Sequence, residues 1–211
     1  MSTISIIGAG GMAAAIASVA ARAGHTVEIM SRDLAKARGM AQDTGIRAIT
    51  GTFGAAPLGD MVILAVPYSA VMEVVKRYGA GLAGKVLIDI TNPVGPDLKS
   101  FVTPHDSFGA REIASIAPAG AHVVKAFNTH FSHVLAAGAF QGQPLDVFIA
   151  ADDAAAKAHV VTFIESLEMR PMDVGLLPMA RTLEHICLLS LGLMNHSVKN
   201  THFAIGVSFP G

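Results

Sequence analysis

The sequence predicts an α/β protein built on a doubly wound, mostly parallel sheet, and three observations carry that prediction. Strand-like and helix-like runs alternate from Thr3 onward, with the hydrophobic period switching between the two. Met61–Val66 is apolar without interruption, as a strand covered on both faces must be. Glycine falls where helices should stop, at Gly24 and Gly45.

In order along the chain, Thr3–Ile7 is a short β-rich run ending at glycine, and Gly11–Ala23 is Ala-rich with helical spacing. Thr26–Met30 reads as a second strand, Asp33–Gln42 as a helix and Ile46–Thr50 as a third strand. After the apolar strand Met61–Val66 come a helix at Tyr68–Tyr78, a strand at Lys85–Ile90 and a helix at Ser107–Ile116. Strands at His122–Phe127 and Leu145–Ala150, a helix at Asp152–Glu168 and a strand at Arg170–Val174 follow. An apolar helix over Met179–Met194 leads into a tail containing Gly, His and Phe. Right-handed crossovers then put helices on both faces of the sheet. The stretch Thr91–Asp106 holds Pro93, Gly95, Pro96 and Pro104 and is expected to be a long loop with a task of its own. The division expected is a Rossmann-type domain over residues 1–130 and a small C-terminal α/β portion over 131–211.

Composition narrows the classes. The chain has 211 residues, 52% hydrophobic and only 15% charged, enough for one large core or a core plus an apolar subunit contact. Fifteen basic residues against 16 acidic ones leave no basic field, so nucleic acid and anionic membrane surfaces are excluded as partners. Gly8, Gly10 and Gly11 interrupt the apolar N-terminal stretch and no cation precedes it, so it does not read as a signal peptide. No apolar run is long enough to span a bilayer. A cytoplasmic protein is expected. The lone Cys187, among Ile186, Leu188 and Leu189, reads as a packed thiol rather than a nucleophile.

The first strand runs into Gly8-Ala9-Gly10-Gly11-Met12-Ala13, which fits G-x-G-x-x-G/A. Small residues are needed there: Gly8 for the tight turn, Gly10 so that backbone N–H groups reach a pyrophosphate, and Ala13 so that the helix lies close to the sheet. The helix N-terminus then faces the anion. Its place after one strand and before a helix and a second strand makes this a dinucleotide-binding turn.

The end of the second strand indicates which dinucleotide. NAD-binding folds place an acid there to hold the ribose hydroxyls, and this chain has Ser31 followed by Arg32. A hydroxyl and a guanidinium suit a 2′-phosphate, and Lys36 adds a second cation one turn into the next helix. Glu28 lies an odd number of positions before Ser31 and should face away, while Asp33 reads as a helix cap. The expected cofactor is NADP(H).

Taken together, Gly8–Ala13, Ser31-Arg32, Ala65-Val66-Pro67-Tyr68, the run from Asp89 through Asn92-Pro93, the run Val124–Thr129 and Asp152-Asp153 resemble the NADP-dependent oxidoreductases of the deazaflavin coenzyme F420. The reductase domain of the six-transmembrane epithelial antigen metalloreductases is similar. The resemblance spans essentially the whole chain. It implies NADP(H) lying across the strand ends, a tricyclic ring of a deazaflavin or flavin as second substrate beside the nicotinamide, and a homodimer. It implies Ser31, Arg32 and Lys36 at the 2′-phosphate, and Ala65, Val66, Pro67, Tyr68 and Val71 as cofactor-binding residues along the path to the nicotinamide. Asn92 and Pro93 would lie near the nicotinamide ribose, and Phe127, Asn128 and Thr129 at the reacting rings.

Hydride transfer between two such rings needs stacking and exclusion of water, and the cofactors supply the electronics. No catalytic side chain is therefore expected, since Ala65–Tyr68, Asn92-Pro93 and Phe127–Thr129 contain no Asp, Glu, Lys or Cys. Of the nine histidines, His130 and His133 are three apart and could share a helix face, and His185, His196 and His202 lie in the C-terminal part; a metal site needs a third and fourth convergent ligand, and no metal is expected. Lys199-Asn200 suggests a β-hydroxyacid or imine reductase, but the long helical second domain such enzymes need has no room here. Two alternatives stand beside the flavin-type reductase: a non-catalytic NADP(H)-sensing module and a flavin-assisted ferric reductase. Met179, Met194 and the Leu-rich C-terminal helix suit core, dimer contact or an apolar ring pocket.

Overall fold

The structure, a computed structural model, describes residues 1–140 and 142–208, so Gln141 and residues 209–211 of the expected C-terminal portion lie outside the described residues. The first half of the chain contains β1 (Thr3–Ile7), α1 (Gly11–Arg22), β2 (Thr26–Met30), α2 (Leu34–Thr44), β3 (Ala48–Gly51), β4 (Met61–Leu64), α3 (Tyr68–Tyr78) and β5 (Val86–Asp89). The second contains α4 (Gly109–Ile116), β6 (His122–Lys125), α5 (Ser132–Ala137), the two-residue strands β7 (Ala139–Phe140) and β8 (Gln143–Pro144), β9 (Asp146–Ala151), α6 (Ala154–Ser166), β10 (Arg170–Asp173) and α7 (Ala180–Leu193).

Eight strands form one sheet in the order β10-β9-β6-β5-β4-β1-β2-β3. Neighbours run parallel except β6 and β9, which pair antiparallel through Val124–Ala151 and Lys125–Ala150. From β1 the chain winds outward through β2 and β3, then returns to β4 on the other side of β1 and continues through β5 to β6. The winding therefore reverses between β1 and β4, and the crevice beyond their C-terminal ends is where such a sheet receives a ligand. The sheet continues across residue 130, because β9 and β10 extend the edge beyond β6.

Alternation along each strand divides the core into two layers. Ile4, Ile6, Ile29, Ile63, Ile88 and Val124 face the side covered by α1, α2, α5 and α6. Ile7, Met30, Val62, Leu64, Leu87 and Val123 face the side covered by α3, α4 and α7. The doubly wound sheet predicted from the sequence is thus observed.

Three local differences have physical causes. The strand expected to reach Phe127 stops at Lys125, because Phe127 adopts φ +60° and cannot continue a ladder. Helix α5 buries only Val134 and Leu135 among its six residues, too short a pattern to be read as a period. Beyond α7 the chain widens into a π turn over Met194–Val198 before the tail. No helix among the described residues is long and apolar enough to cross a membrane.

Candidate dinucleotide site

The turn between β1 and α1 is built by two glycines with different tasks. Gly8 has φ +129°, and a Cβ there would lie 2.0 Å from the carbonyl oxygen of Ala65 at the end of β4. It is glycine because two strand ends meet at it, in addition to the turn the sequence suggests. A Cβ on Gly10, by contrast, would meet nothing within 4 Å. Gly10 occupies the N-cap of α1 without a side-chain hydrogen bond, and the first turn carries no acid. Three unclaimed features thus coincide: open space over Gly10, free N–H groups and the positive end of a helix dipole. This is the cradle a pyrophosphate fits.

A cavity of about 310 Å³ opens from this turn, lined by Gly8, Ala9, Gly10, Ser31, Arg32, Asp33, Lys36, Phe53, Ala65, Val66, Pro67, Ala70 and Val74. It brings together the glycine turn, the cations after β2 and the segment after β4, which lie far apart in sequence. The Ser31 hydroxyl accepts a hydrogen bond from the Asp33 N–H (3.2 Å), and Asp33 caps α2 by accepting from Lys36 N (3.0 Å). The Lys36 ammonium is 4.0 Å from the Asp33 carboxylate and exposed, so that pair is weak and leaves the cation available. Glu28 points to the other face, where it accepts from Ser5 Oγ (2.6 Å) and Leu58 N (2.8 Å). Phe53, which no spacing in the sequence singles out, forms a wall and carries Arg77 over its ring at 5.3 Å.

The remaining predicted residues divide. Gly11 lies against Ser132 of α5, Met12 packs on the core edge and Ala13 is fully buried between α1 and the sheet. Val71 is also fully buried, in the core beneath α3, and does not line the cavity. Tyr68 turns its hydroxyl to Glu112 of α4, donating at 2.5 Å. Burial, reinforced by that carboxylate, holds the phenol well above its ordinary pKa, so it stays neutral.

Asn92 and Asn128 form a reciprocal pair across the ends of β5 and β6. The Asn92 amide donates to the Asn128 carbonyl (2.9 Å), and the Asn128 amide donates to Asn92 Oδ1 (2.9 Å) and to the Leu183 carbonyl (3.0 Å). Asn128 Oδ1 is buried without a hydrogen-bond partner. Pro93 and Thr129 are buried beside the pair in sequence. Phe127 corrects the expectation of a ring facing the acceptor: it is 1% exposed and packs edge-on against Phe163 of α6, in the core. The positive φ at Phe127 turns that side chain inward while leading Asn128 to the strand ends.

Beneath these asparagines lies a charged cluster the sequence reading missed. Lys125 is completely buried and donates to Asp89 Oδ2 (2.8 Å), the Thr91 carbonyl (2.6 Å) and Glu184 Oε1 (3.0 Å). Asp89 also accepts from Thr91 N and Thr91 Oγ1, and Glu184 accepts from Gly109 N and Ala110 N at the start of α4. Burial alone would lower the Lys125 pKa, but the two carboxylates outweigh it and raise it, so the ammonium stays charged. One charged residue inside each of three apolar runs was the available signal.

Other ionisable groups are committed elsewhere. His130 is buried with Nε2 2.8 Å from the Asp146 carbonyl, and burial holds its pKa below the ordinary value. His133 instead meets the Thr201 carbonyl (3.0 Å), and no group of three or more His, Cys, Asp or Glu among the described residues is arranged around a metal position. Burial pushes the Cys187 thiol up to about 11. Lys199 donates to the Asn195 carbonyl in an exposed segment away from the cavity.

The reversal of winding, the glycine cradle and the cationic strand end define a Rossmann-type dinucleotide-binding protein. Residues 3–93 match the family described as NADP oxidoreductase coenzyme F420-dependent. The chain is 30% identical to the metalloreductase STEAP3 of Rattus norvegicus over 192 residues, 88% of this chain but 36% of that protein. It is 28% identical to the F420-dependent NADP reductase of Methanocaldococcus jannaschii over 157 residues, 72% of this chain and 70% of that one. A crystal structure from Arthrobacter sp. FB24, named as a candidate F420-dependent NADP reductase, superposes with a TM-score of 0.85 at 24% identity. That fit covers 99% of this chain and 100% of the other, and it establishes the fold.

Proposed function

We propose that this chain is an NADP(H)-dependent oxidoreductase that moves a hydride between NADPH and a small redox acceptor of the deazaflavin or flavin class. The observation that carries the reading is the single cavity joining the glycine turn to Ser31, Arg32 and Lys36. Bound NADPH supplies the chemistry: a hydride, with its two electrons, goes to the acceptor, which also takes a proton from solvent, and NADP⁺ remains.

The residues of the chain bind, orient and exclude water. Gly10 and the first turn of α1 hold the pyrophosphate, and Ser31, Arg32 and Lys36 the 2′-phosphate. Ala65, Val66 and Pro67 supply an apolar wall along the dinucleotide. The buried Asn128 Oδ1 lacks a donor, and a carboxamide N–H is a group that would satisfy it. No acid or base at the reacting atoms is needed. The nearby candidates are locked: Tyr68 on Glu112, His130 on the Asp146 carbonyl and Lys125 in its cluster.

Residues 1–130 hold the dinucleotide in this reading, and residues 131–211 contribute to the acceptor pocket and a homodimer contact in the cytoplasm. Similarity to a metalloreductase supports a second reading, ferric reduction through a bound flavin. One assay separates them: NADPH oxidation measured against F420, FMN, FAD and ferric chelates. Turnover with a free deazaflavin or flavin supports the first reading, and turnover with ferric chelate only when flavin is present supports the second. A protein that binds NADPH and oxidises it with none of them is a sensor, not a reductase.

A further inference from the structure

The Asp89–Lys125–Glu184 cluster combines one ammonium with two carboxylates in a fully buried position, a formal excess of one negative charge. Two N–H groups at the start of α4 donate to Glu184 and offset only part of it, since a helix end carries about half a charge. The cluster lies at the C-terminal ends of β5 and β6, on the crevice side of the sheet. Its links to the asparagine pair are short: Lys125 grips the carbonyl of Thr91, the neighbour of Asn92, and Asn128 grips the carbonyl of Leu183, the neighbour of Glu184. A structural ion pair needs no second carboxylate, and burying an unbalanced charge is costly.

We propose that this excess charge makes the site favour the oxidised dinucleotide, whose nicotinamide ring is cationic, over the reduced one, whose ring is neutral, and so shifts the equilibrium between the bound forms toward NADP⁺. The inference rests on the function proposed above and deepens it, because it assigns the relative affinity for the two dinucleotide forms, through an electrostatic role, to three residues outside the binding turn. NADPH loses a hydride and becomes NADP⁺, the acceptor gains that hydride and a solvent proton, and the buried carboxylates stabilise the charge that appears on the donor ring. In an environment of effective dielectric about 20, a unit charge within about 10 Å changes the relative affinity of the two forms by roughly tenfold or more.

The test is calorimetric titration of the intact protein with NADP⁺ and with NADPH, without an acceptor. Glu184→Gln removes the excess charge and keeps an acceptor for the α4 N–H groups; it is expected to lower Kd(NADPH)/Kd(NADP⁺) about tenfold. Asp89→Asn should do the same from the other side of Lys125. Glu28→Gln, a buried carboxylate on β2 three strands from β5, should leave the ratio unchanged. A loss of fold alone would weaken both dinucleotides together and leave the ratio fixed, so an unchanged ratio in Glu184→Gln and Asp89→Asn overturns the proposal. If neither variant folds, the native protein decides: NADP⁺ should bind more tightly than NADPH, and the reverse order overturns the proposal. Native protein that binds neither form would instead overturn the function on which the inference rests.

Discussion

Gly8 and Gly10 are two residues apart in the same turn, and the structure assigns opposite outcomes to filling them. At Gly8 a Cβ would sit 2.0 Å from the Ala65 carbonyl oxygen and 2.7 Å from its carbon, and φ is +129°. Neither obstacle is the end of a flexible side chain, so Gly8→Ala must pry β1 from β4 or distort the turn. Backbone strain of that kind costs roughly 1–3 kcal/mol, and the overlap with main-chain atoms brings the total to about 3 kcal/mol or more. For a chain of this length that is a fall in Tm of about 6–12 °C. At Gly10 a Cβ meets nothing and φ is −101°, so Gly10→Val should cost no more than about 1 kcal/mol, the penalty of a poor N-cap residue. It should nevertheless abolish NADPH binding, because the valine occupies the pyrophosphate space. Thermal unfolding with and without NADPH reads both effects. Native protein at a hundred times Kd gains about 2.7 kcal/mol from the ligand, and Gly10→Val should gain none. The reasoning fails if Gly10→Val is still stabilised by NADPH, or if Gly8→Ala melts with the native protein.

Arg32→Ala should remove most of the preference for NADPH over NADH, about ten- to a hundredfold, while NADH affinity changes little; paired titrations check it. Phe127→Ala should cost about 3–5 kcal/mol in urea unfolding, as a buried core ring does; a loss below 1 kcal/mol would return that ring to the acceptor site. His25 and His130 both have pKa values held down by burial, so the unfolded chain binds protons that the native one resists. Their contribution is present above the unfolded value near 6.5 and is lost as pH falls below it. The urea midpoint should therefore drop between pH 7.5 and 5.5, less steeply in His130→Gln. His130→Ala should lower turnover less than tenfold, since a general acid or base contributes about a hundredfold or more; a larger loss together with a neutral pKa in the rate profile would identify a proton donor.

The sequence was most legible where local chemistry dictates local shape. The glycine turn, the capping role of Asp33 and the turning of Glu28 to the face opposite Ser31 follow from period and residue type, and the structure shows the last two in hydrogen bonds. The doubly wound sheet followed from the alternation of strand and helix patterns together with the uninterrupted apolar run Met61–Val66. Legibility ended where long-range packing decides. Nothing near Phe127 announces a positive φ that sends its ring to Phe163, and nothing near Phe53 announces that the loop before β4 walls the cavity. Asp89 and Lys125 stood inside motifs that had been singled out, yet their partnership with Glu184 depends on α7 returning to the ends of β5 and β6 some 60 residues after Lys125. Short spacings report turns and faces; a buried charge triad assembled from three distant segments leaves only the trace of charges in apolar runs.

The most direct test of the account is titration of the native protein with NADPH and with NADH under identical salt. Ser31, Arg32 and Lys36 at the mouth of the cavity predict NADPH binding tighter by about ten- to a hundredfold, the value of a charge-assisted pair at roughly 1.5–3 kcal/mol. Equal affinities for the two dinucleotides, or tighter binding of NADH, would contradict it.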